Sequence, residues 1–271
     1  MKLRYKIKFF FSLLQKYWTT RYFLKIFLIN SNHYFNLTKS QFNNQENLFI
    51  SKLKELIESK NFIEIGYHYR ELNCLGLIQN DFNGKVIDAD MGDSWNSFIM
   101  EKIIKRVKKN VKVIKRFIDL DNLDDIFDMK KLGCLSIDID GNEYWILKKI
   151  LEKELIPEII ITEYNASFVH HEITVPYDKN FNIHKKHPSL WYHGASLSAF
   201  YKLLNKYNYG LVKVIGGTNA IFVQDSLLTK SKLKKFKPQD LYEECISRNK
   251  NGQNTAKEQY DIIKHLPLVK V

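Results

Sequence analysis

The chain has 271 residues, a formal net charge of +12, 45% hydrophobic and 14% aromatic residues. That length suits one large domain with extensions or two small ones, and so many aromatics exclude a chain disordered over most of its length. Three scattered cysteines (Cys74, Cys134, Cys245) with no CxxC pair exclude a disulfide framework and a structural zinc site, and fit buried thiols in a reducing, cytoplasmic compartment.

The first segment, 1–59, is basic and aromatic. No Asp or Glu occurs before Glu46. Within Ile7 to Ile29 the charges Lys8, Lys16, Arg21 and Lys25 interrupt the apolar run, so it is no membrane span, and no small-residue cleavage site marks a signal peptide. On a helix, Lys8, Ser12, Gln15, Lys16 and Thr19 share one face, and Phe10, Phe11, Leu14 and Trp18 the other. Such a helix either lies on the inner face of an anionic membrane or packs on the domain or a second copy in a homo-oligomer. The basic runs at 105–116 and 230–237 read as solvated helix faces. No nucleic-acid signature accompanies them, so nucleic acid is not an expected partner.

From residue 62 short β-rich runs alternate with helical stretches. FIEIG (62–66) is the first strand and 72–79 a helix. KVIDAD (85–90) is the second strand, followed by a helix over 94–108 with Trp95, Phe98, Ile99, Ile103 and Val107 on one face. VKVIKRFI (111–118), CLSIDI (134–139) and EIIITEYN (158–165) are the third to fifth strands. Tyr144, Ile146, Leu147, Ile150 and Leu151 give the intervening helix its stripe. A long loop, 166–195, carries five histidines and several aromatics, and a loop of that length is usually functional or a lid. A helix over 196–208 has Ser196 as its N-cap. YGLVKVIG and NAIFVQD then flank a Gly216-Gly217-Thr218 turn, so these strands run antiparallel. Residues 226–271 read as a polar, mainly helical tail. The whole predicts an α/β, Rossmann-like, seven-stranded, mostly parallel sheet with an antiparallel last strand and helices on both faces, spanning 60–225. This is the strand-helix order of class I S-adenosylmethionine methyltransferases.

Ligands of open α/β sheets bind at the carboxyl ends of the strands. Polar residues collect at four such ends: Glu64 and Gly66, Asp88 and Asp90, Asp138 and Asp140, Glu163 and Asn165. Gly66 would let a cofactor approach the backbone. Asp88 or Asp90 would take ribose hydroxyls in paired hydrogen bonds. Side chains two apart share a face of a strand, which puts Asp138 with Asp140 and Glu163 with Asn165. Their oxygens suit Mg²⁺ or another divalent cation. The alternatives are structural: Asp140-Gly141-Asn142 as a turn capping the next helix, Asp88 and Asp90 as exposed loop acids, and Glu163 as an ion-pair partner.

The segments LSIDIDGNEYW, EYNASF, TVPYDKNF, YHGASLSAFYKLL and GGTNAIFV resemble the FkbM-type methyltransferase family, in particular a bacterial branch associated with surface-glycan clusters. The resemblance covers about 60–225 and leaves the leader and tail outside. It implies an S-adenosylmethionine-dependent O-methyltransferase acting on a sugar, polysaccharide or glycolipid precursor. Glu64, Gly66, Asp88, Asp90 and Asp138 are then the cofactor residues. Asp138, Asp140 and Glu163 are the catalytic ones, joined by Asn165 if a metal takes part. His170, His171, Trp191 and His193 in the loop are candidates for the acceptor. EIGYHYREL, with its single glycine, stands where methyltransferases carry a glycine-rich loop. Either that loop follows another path, with Asn73 helping, or the domain is a catalytically degenerate binding module.

Overall fold

The computed structural model describes residues 49, 53–69, 71–91, 94–107, 109–128, 131–231, 233–245, 248 and 254–271. The calls on the leader (amphipathic helix, membrane contact, association) fall on 1–48, outside the described residues. No helix among the described residues is long and apolar enough to cross a membrane.

Seven strands form the central sheet: β1 (Asn61–Ile65), β2 (Asn83–Asp88), β3 (Val111–Lys115), β4 (Cys134–Ile137), β5 (Ile159–Glu163), β6 (Tyr209–Ile215) and β7 (Asn219–Gln224). Their spatial order is 3-2-1-4-5-7-6. β2 and β4 flank β1 in parallel, β3 and β5 extend the sheet in parallel, and β7 lies antiparallel between β5 and β6. This is the Rossmann-like order of class I methyltransferases expected from the sequence. The chain order reverses between β1 and β4, which opens a crevice at their carboxyl ends.

The strands at the centre are buried on both faces because helices cover both. Every residue of β4 and β5 is buried. On one face the helices α3 (Glu143–Glu152) and Leu197–Asn205 pack their apolar stripes onto Ile63, Ile65, Leu135 and Ile160. On the other, α1 (Leu75–Gln79), α2 (Asn96–Val107) and Asp225–Ser231 cover Phe62, Val86, Ile161 and Ile221. Ser196 caps its helix as expected, its side chain accepting from the Ala199 amide. The edge strand β3 keeps only half-buried or exposed residues, with Lys112 and Lys115 pointing to solvent, a composition that discourages pairing with another chain.

Several strands end earlier than their sequence suggests. β2 stops at Asp88, β4 at Ile137 and β5 at Glu163. Asp90 and Asp140 adopt positive φ, +56° and +57°, a conformation that Asp tolerates better than most residues. Beyond these points the two-residue alternation no longer holds. The long loop is also more structured than a bare lid. Its Ile173–Thr174 pairs antiparallel with Val269–Lys270 of the tail, and Phe168, Val175, Phe181, Trp191 and Tyr192 share a small core with Ile263. Loop and tail therefore fold on each other.

Candidate active site

A cavity of about 700 Å³ opens at the carboxyl ends of β1, β2 and β4, within the range that holds small ligands. Gly66 forms its floor. Its φ is +77° and a Cβ there would meet the Asp138 carbonyl oxygen at 1.6 Å. The glycine is thus required by the crossing of two backbones, β1 into β4, as much as by any ligand. Its amide donates to the Ile87 carbonyl (2.8 Å) while the Asp138 amide donates to that of Ile65 (2.9 Å), so the three strand ends are tied together beneath the cavity.

The turn after β1, EIGYHYREL, buries two of its bulky side chains. Tyr67 and Tyr69 are buried in the core beneath α2, and the Tyr67 hydroxyl reaches Ser97 Oγ (3.3 Å). Asn96 locks the turn, its Nδ2 donating to the Tyr67 carbonyl (2.7 Å) and its Oδ1 accepting from the Tyr69 amide (2.8 Å). Both tyrosines are therefore held within the protein, Tyr67 at the cavity's edge. His68, Glu71 and Asn73 reach the cavity wall. Glu64 does not. It is buried, and its two oxygens accept from the amides of Asn73 (2.7 Å) and Cys74 (3.0 Å). This corrects the expectation that it touches the cofactor: it anchors the turn. Burial pushes its pKa up to about 7 against those two amides.

The acids after β2 divide. Asp88 lines the cavity, and burial raises its pKa although the Asp90 amide (2.6 Å) donates to it. Asp90 turns away, which corrects its assignment to the cofactor. Its Oδ1 accepts from the amide and hydroxyl of Ser97 (3.0 and 2.7 Å), and its Oδ2 pairs with Lys115 (3.1 Å). Placed beside the first turn of α2, it does the work of a helix cap. The wall between the two regions is apolar, formed by Phe117 and Ile118 after β3 and Ile139 after β4.

The acids after β4 divide differently. Asp138 is half-buried and lines the cavity. Burial and then the neighbouring Glu163 carboxylate hold its pKa well above the ordinary value. Asp140 also borders the cavity, but its side chain is 58% exposed and lies 3.9 Å from Arg248. Neither Asp140 nor the Asn142 side chain caps α3. The turn is closed by Glu143, a residue the sequence did not single out, whose buried carboxylate accepts from the amides of Ile139 (2.9 Å) and Gly141 (2.8 Å). Burial, then the nearby Glu163, lifts Glu143 to about 8. Gly141 is required for space and not for a positive φ: it leaves room for Phe181, whose ring a Cβ would meet at 2.2 Å.

At the end of β5, Glu163 is buried and lines the cavity. Its Oε1 accepts from Arg248 Nη2 at 2.6 Å. Burial raises its pKa to about 7, with Arg248 opposing. Asn165 faces the other way. Its Oδ1 accepts from the Ser167 amide (2.9 Å) and its Nδ2 donates to the carbonyls of Trp191 (2.6 Å) and His193 (2.8 Å). The expected metal set Asp138, Asp140, Glu163 and Asn165 is therefore not assembled. The Asn165 oxygen is already an acceptor, a guanidinium takes Glu163 Oε1, and among the described residues no group of three or more His, Cys, Asp or Glu side chains converges as ligands. The donor set does not fit a divalent cation.

The loop residues expected to meet an acceptor also lie off the cavity. His170 and His171 are exposed and rest on Tyr242 and Tyr260. Trp191 is buried, its indole donating to the Arg248 carbonyl (3.3 Å). His193 is buried against the Arg248 guanidinium, which with burial keeps it neutral. The part of the loop that does cover the cavity is Phe181, Asn182, Ile183 and His184. It is pinned by Asn142, whose Nδ2 donates to the Asp178 carbonyl (2.8 Å), and by Trp145 Nε1, which donates to the Val175 carbonyl (2.9 Å). TVPYDKNF held the signal, since those contacts run from IDGNEYW to that segment.

No family model matches the chain, and no curated protein matches it. Solved structures similar to it include an O-methyltransferase from Bacillus cereus in complex with SAH: 16% identity, 78% of this chain and 100% of that one, TM-score 0.45. A putative O-methyltransferase from Klebsiella pneumoniae shares 11% identity over 76% of this chain and 95% of that one, TM-score 0.46. The O-methyltransferase TomG from Streptomyces achromogenes, in complex with SAM, shares 11% identity over 66% of this chain and 79% of that one, TM-score 0.43. At these values the strand order, not the likeness, defines the fold.

Proposed function

We propose that the chain is an S-adenosylmethionine-dependent O-methyltransferase whose acceptor is a hydroxyl of a glycan, glycolipid or related precursor. The observation that carries this reading is an acid-lined cavity at the carboxyl ends of β1, β2 and β4 in a 3-2-1-4-5-7-6 sheet, with Asp88 on its wall at the end of β2. The residues fit the cofactor. Asp88 offers a carboxylate to paired ribose hydroxyls, and Phe117, Ile118 and Ile139 offer apolar surface to an adenine ring. The carboxyls of Asp138 and Glu163 suit a cationic sulfonium. The cofactor, when bound, supplies an electrophilic methyl group. The protein aligns the acceptor hydroxyl for in-line attack and accepts its proton. Phe181 to His184 exclude water over that end. The glycan acceptor rests on the motif resemblance.

Isothermal titration of the full chain with S-adenosylmethionine tests the reading. Binding that Asp88→Ala weakens at least about tenfold is expected, the loss of one charge-assisted contact. Transfer of labelled methyl onto a surface-glycan extract tests the acceptor class. Absence of binding at millimolar cofactor would overturn the methyltransferase reading; binding with transfer only to non-glycan acceptors would overturn the glycan.

A further inference from the structure

Glu163 and its surroundings hold a feature that cofactor binding does not account for. The Oε1 atom is clamped by Arg248, but Oε2 is buried with no hydrogen-bond donor among the described residues. A buried carboxylate oxygen without a donor is costly. Asp138 and Glu163 line the same cavity, with the Asp138 carboxyl within hydrogen-bonding reach of Glu163, and a proton on Asp138 would satisfy Oε2. The other charged groups facing this pair are Asp140 and Glu143 from the β4 turn and α3, and Arg248 from the tail; His193 from the loop stands against the guanidinium. Among the described residues one cation thus serves several carboxyls, three of them buried or half-buried. Like charges packed this closely cannot all ionise, and sharing a proton is the usual outcome.

We propose that Asp138 and Glu163 share one proton and together accept the proton of the substrate hydroxyl, and that Arg248, carried by the C-terminal tail, is the positioning residue that holds Glu163 in this pair. The proposal rests on the methyltransferase reading above. Asp138, which lines the cavity, receives the O–H proton as the new O–CH₃ bond forms, and the proton Asp138 already held passes to Glu163 Oε2. The electron pair of the broken S–CH₃ bond stays on sulfur. The pair starts with one negative charge and ends with none, so one proton is returned to solvent after each turnover. Arg248 lies outside the segment that carries the family resemblance and reaches back 85 residues to Glu163. The tail therefore completes the site.

The test uses calorimetric titration of the full chain with S-adenosylmethionine and, separately, S-adenosylhomocysteine. Buffers of different ionisation enthalpy, between about pH 6 and 9, give the protons exchanged on binding. Only the first ligand carries the sulfonium charge. The expected result is a proton release with S-adenosylmethionine that S-adenosylhomocysteine does not cause, the sulfonium expelling a second proton from the pair and leaving the shared one in place; it is lost in Asp138→Asn and Glu163→Gln. Arg248→Met should move the midpoint of that release up by about one to three pH units, the effect of removing an adjacent cation, and Arg248→Lys should restore most of it. Equal proton counts for the two ligands would overturn the shared proton. A variant Arg248→Met that melts earlier but keeps the midpoint would overturn the positioning role and leave Arg248 a structural clip. If neither ligand binds, the cofactor reading falls and takes this proposal with it; if both bind, only the pair is judged. Should a substitution prevent folding, the comparison of the two ligands on the unaltered chain still decides.

Discussion

The turns after β2 and β4 are written almost alike, Ile87-Asp88-Ala89-Asp90 and Ile137-Asp138-Ile139-Asp140. Both place their first aspartate on the cavity wall and their second at positive φ. There the likeness ends. In the β2 turn the second acid is buried and caps α2 through Ser97, with Lys115 as counter-ion. In the β4 turn the second acid is mostly exposed, and the amides of the turn are taken by Glu143, three residues further on. The difference shows that a D-x-D pattern sets a backbone path and not a role. The residues downstream decide which carboxyl is used as a cap and which remains for a ligand.

The most severe way to break the comparison is to remove the joint that both turns share. Gly66→Ala places a Cβ 1.6 Å from the Asp138 carbonyl at a φ of +77°. Strain at such a site together with overpacking should cost about 3 kcal/mol or more. Urea unfolding measures it, and a loss below about 1 kcal/mol would show that the three strand ends are not tied together as described.

The next prediction separates the two turns by pH. Glu143 and Glu163, beside the β4 turn, have folded pKa values raised to about 8 and about 7, and Glu64, under the β1 turn, to about 7, all chiefly by burial. A carboxyl whose folded pKa lies above its unfolded value contributes stability that is complete below about 4.5 and is lost as pH rises through the folded value. Melting temperature should therefore fall between about pH 5 and 8.5, with each group contributing on the order of 1–3 kcal/mol. Glu143→Gln and Glu163→Gln should each flatten that slope. A melting temperature that rises across this window would contradict the environments described.

These effects also show what the sequence made legible. Hydrophobic runs of two kinds, in alternation, were enough to order seven strands, because burial on both faces leaves a continuous apolar signature. Asp88 and Asp138 were legible as cavity residues because each follows such a run directly. The roles expected of Asp140 and Asn165 rest on strand alternation carried past the points where β4 and β5 end, and that of Asp90 rests on its place at the end of the KVIDAD run. Glu143 was hidden in the first turn of a helix, where a glutamate has an ordinary reason to be. Arg248 could not be found from local pattern at all. Its partner is far away in the chain, and a tail with no motif gives no sign of where it docks. His170, His171 and His193 drew attention by residue type, yet two pack on tyrosines at the surface and the third is buried against a guanidinium.

Two smaller effects bear on the second acid of each turn. Asp90→Ala should cost about 1–2 kcal/mol, since it removes a side-chain cap and leaves Lys115 unpaired. Thermal or urea unfolding of this variant should show the loss without a comparable loss of cofactor affinity, because Asp90 lies off the cavity wall. A drop in affinity as large as that of Asp88→Ala would return Asp90 to the binding site.

Asp140→Gly should act in the opposite direction. Asp140 has a φ of +57° and a side chain that is 58% exposed, with its ion-pair partner at 3.9 Å. An exposed pair at that distance contributes little, whereas glycine adopts positive φ without the steric cost borne by an L side chain. The greater freedom of glycine in the unfolded chain subtracts from that gain. The net change should lie between zero and about 1 kcal/mol of stabilisation, while Asp90→Gly, at nearly the same φ, should be destabilising because the cap outweighs the relief of strain. Opposite signs at two positions of the same local sequence would establish that the turns differ through their partners. The same sign at both would mean that Asp140 holds the β4 turn together through contacts as strong as those of Asp90.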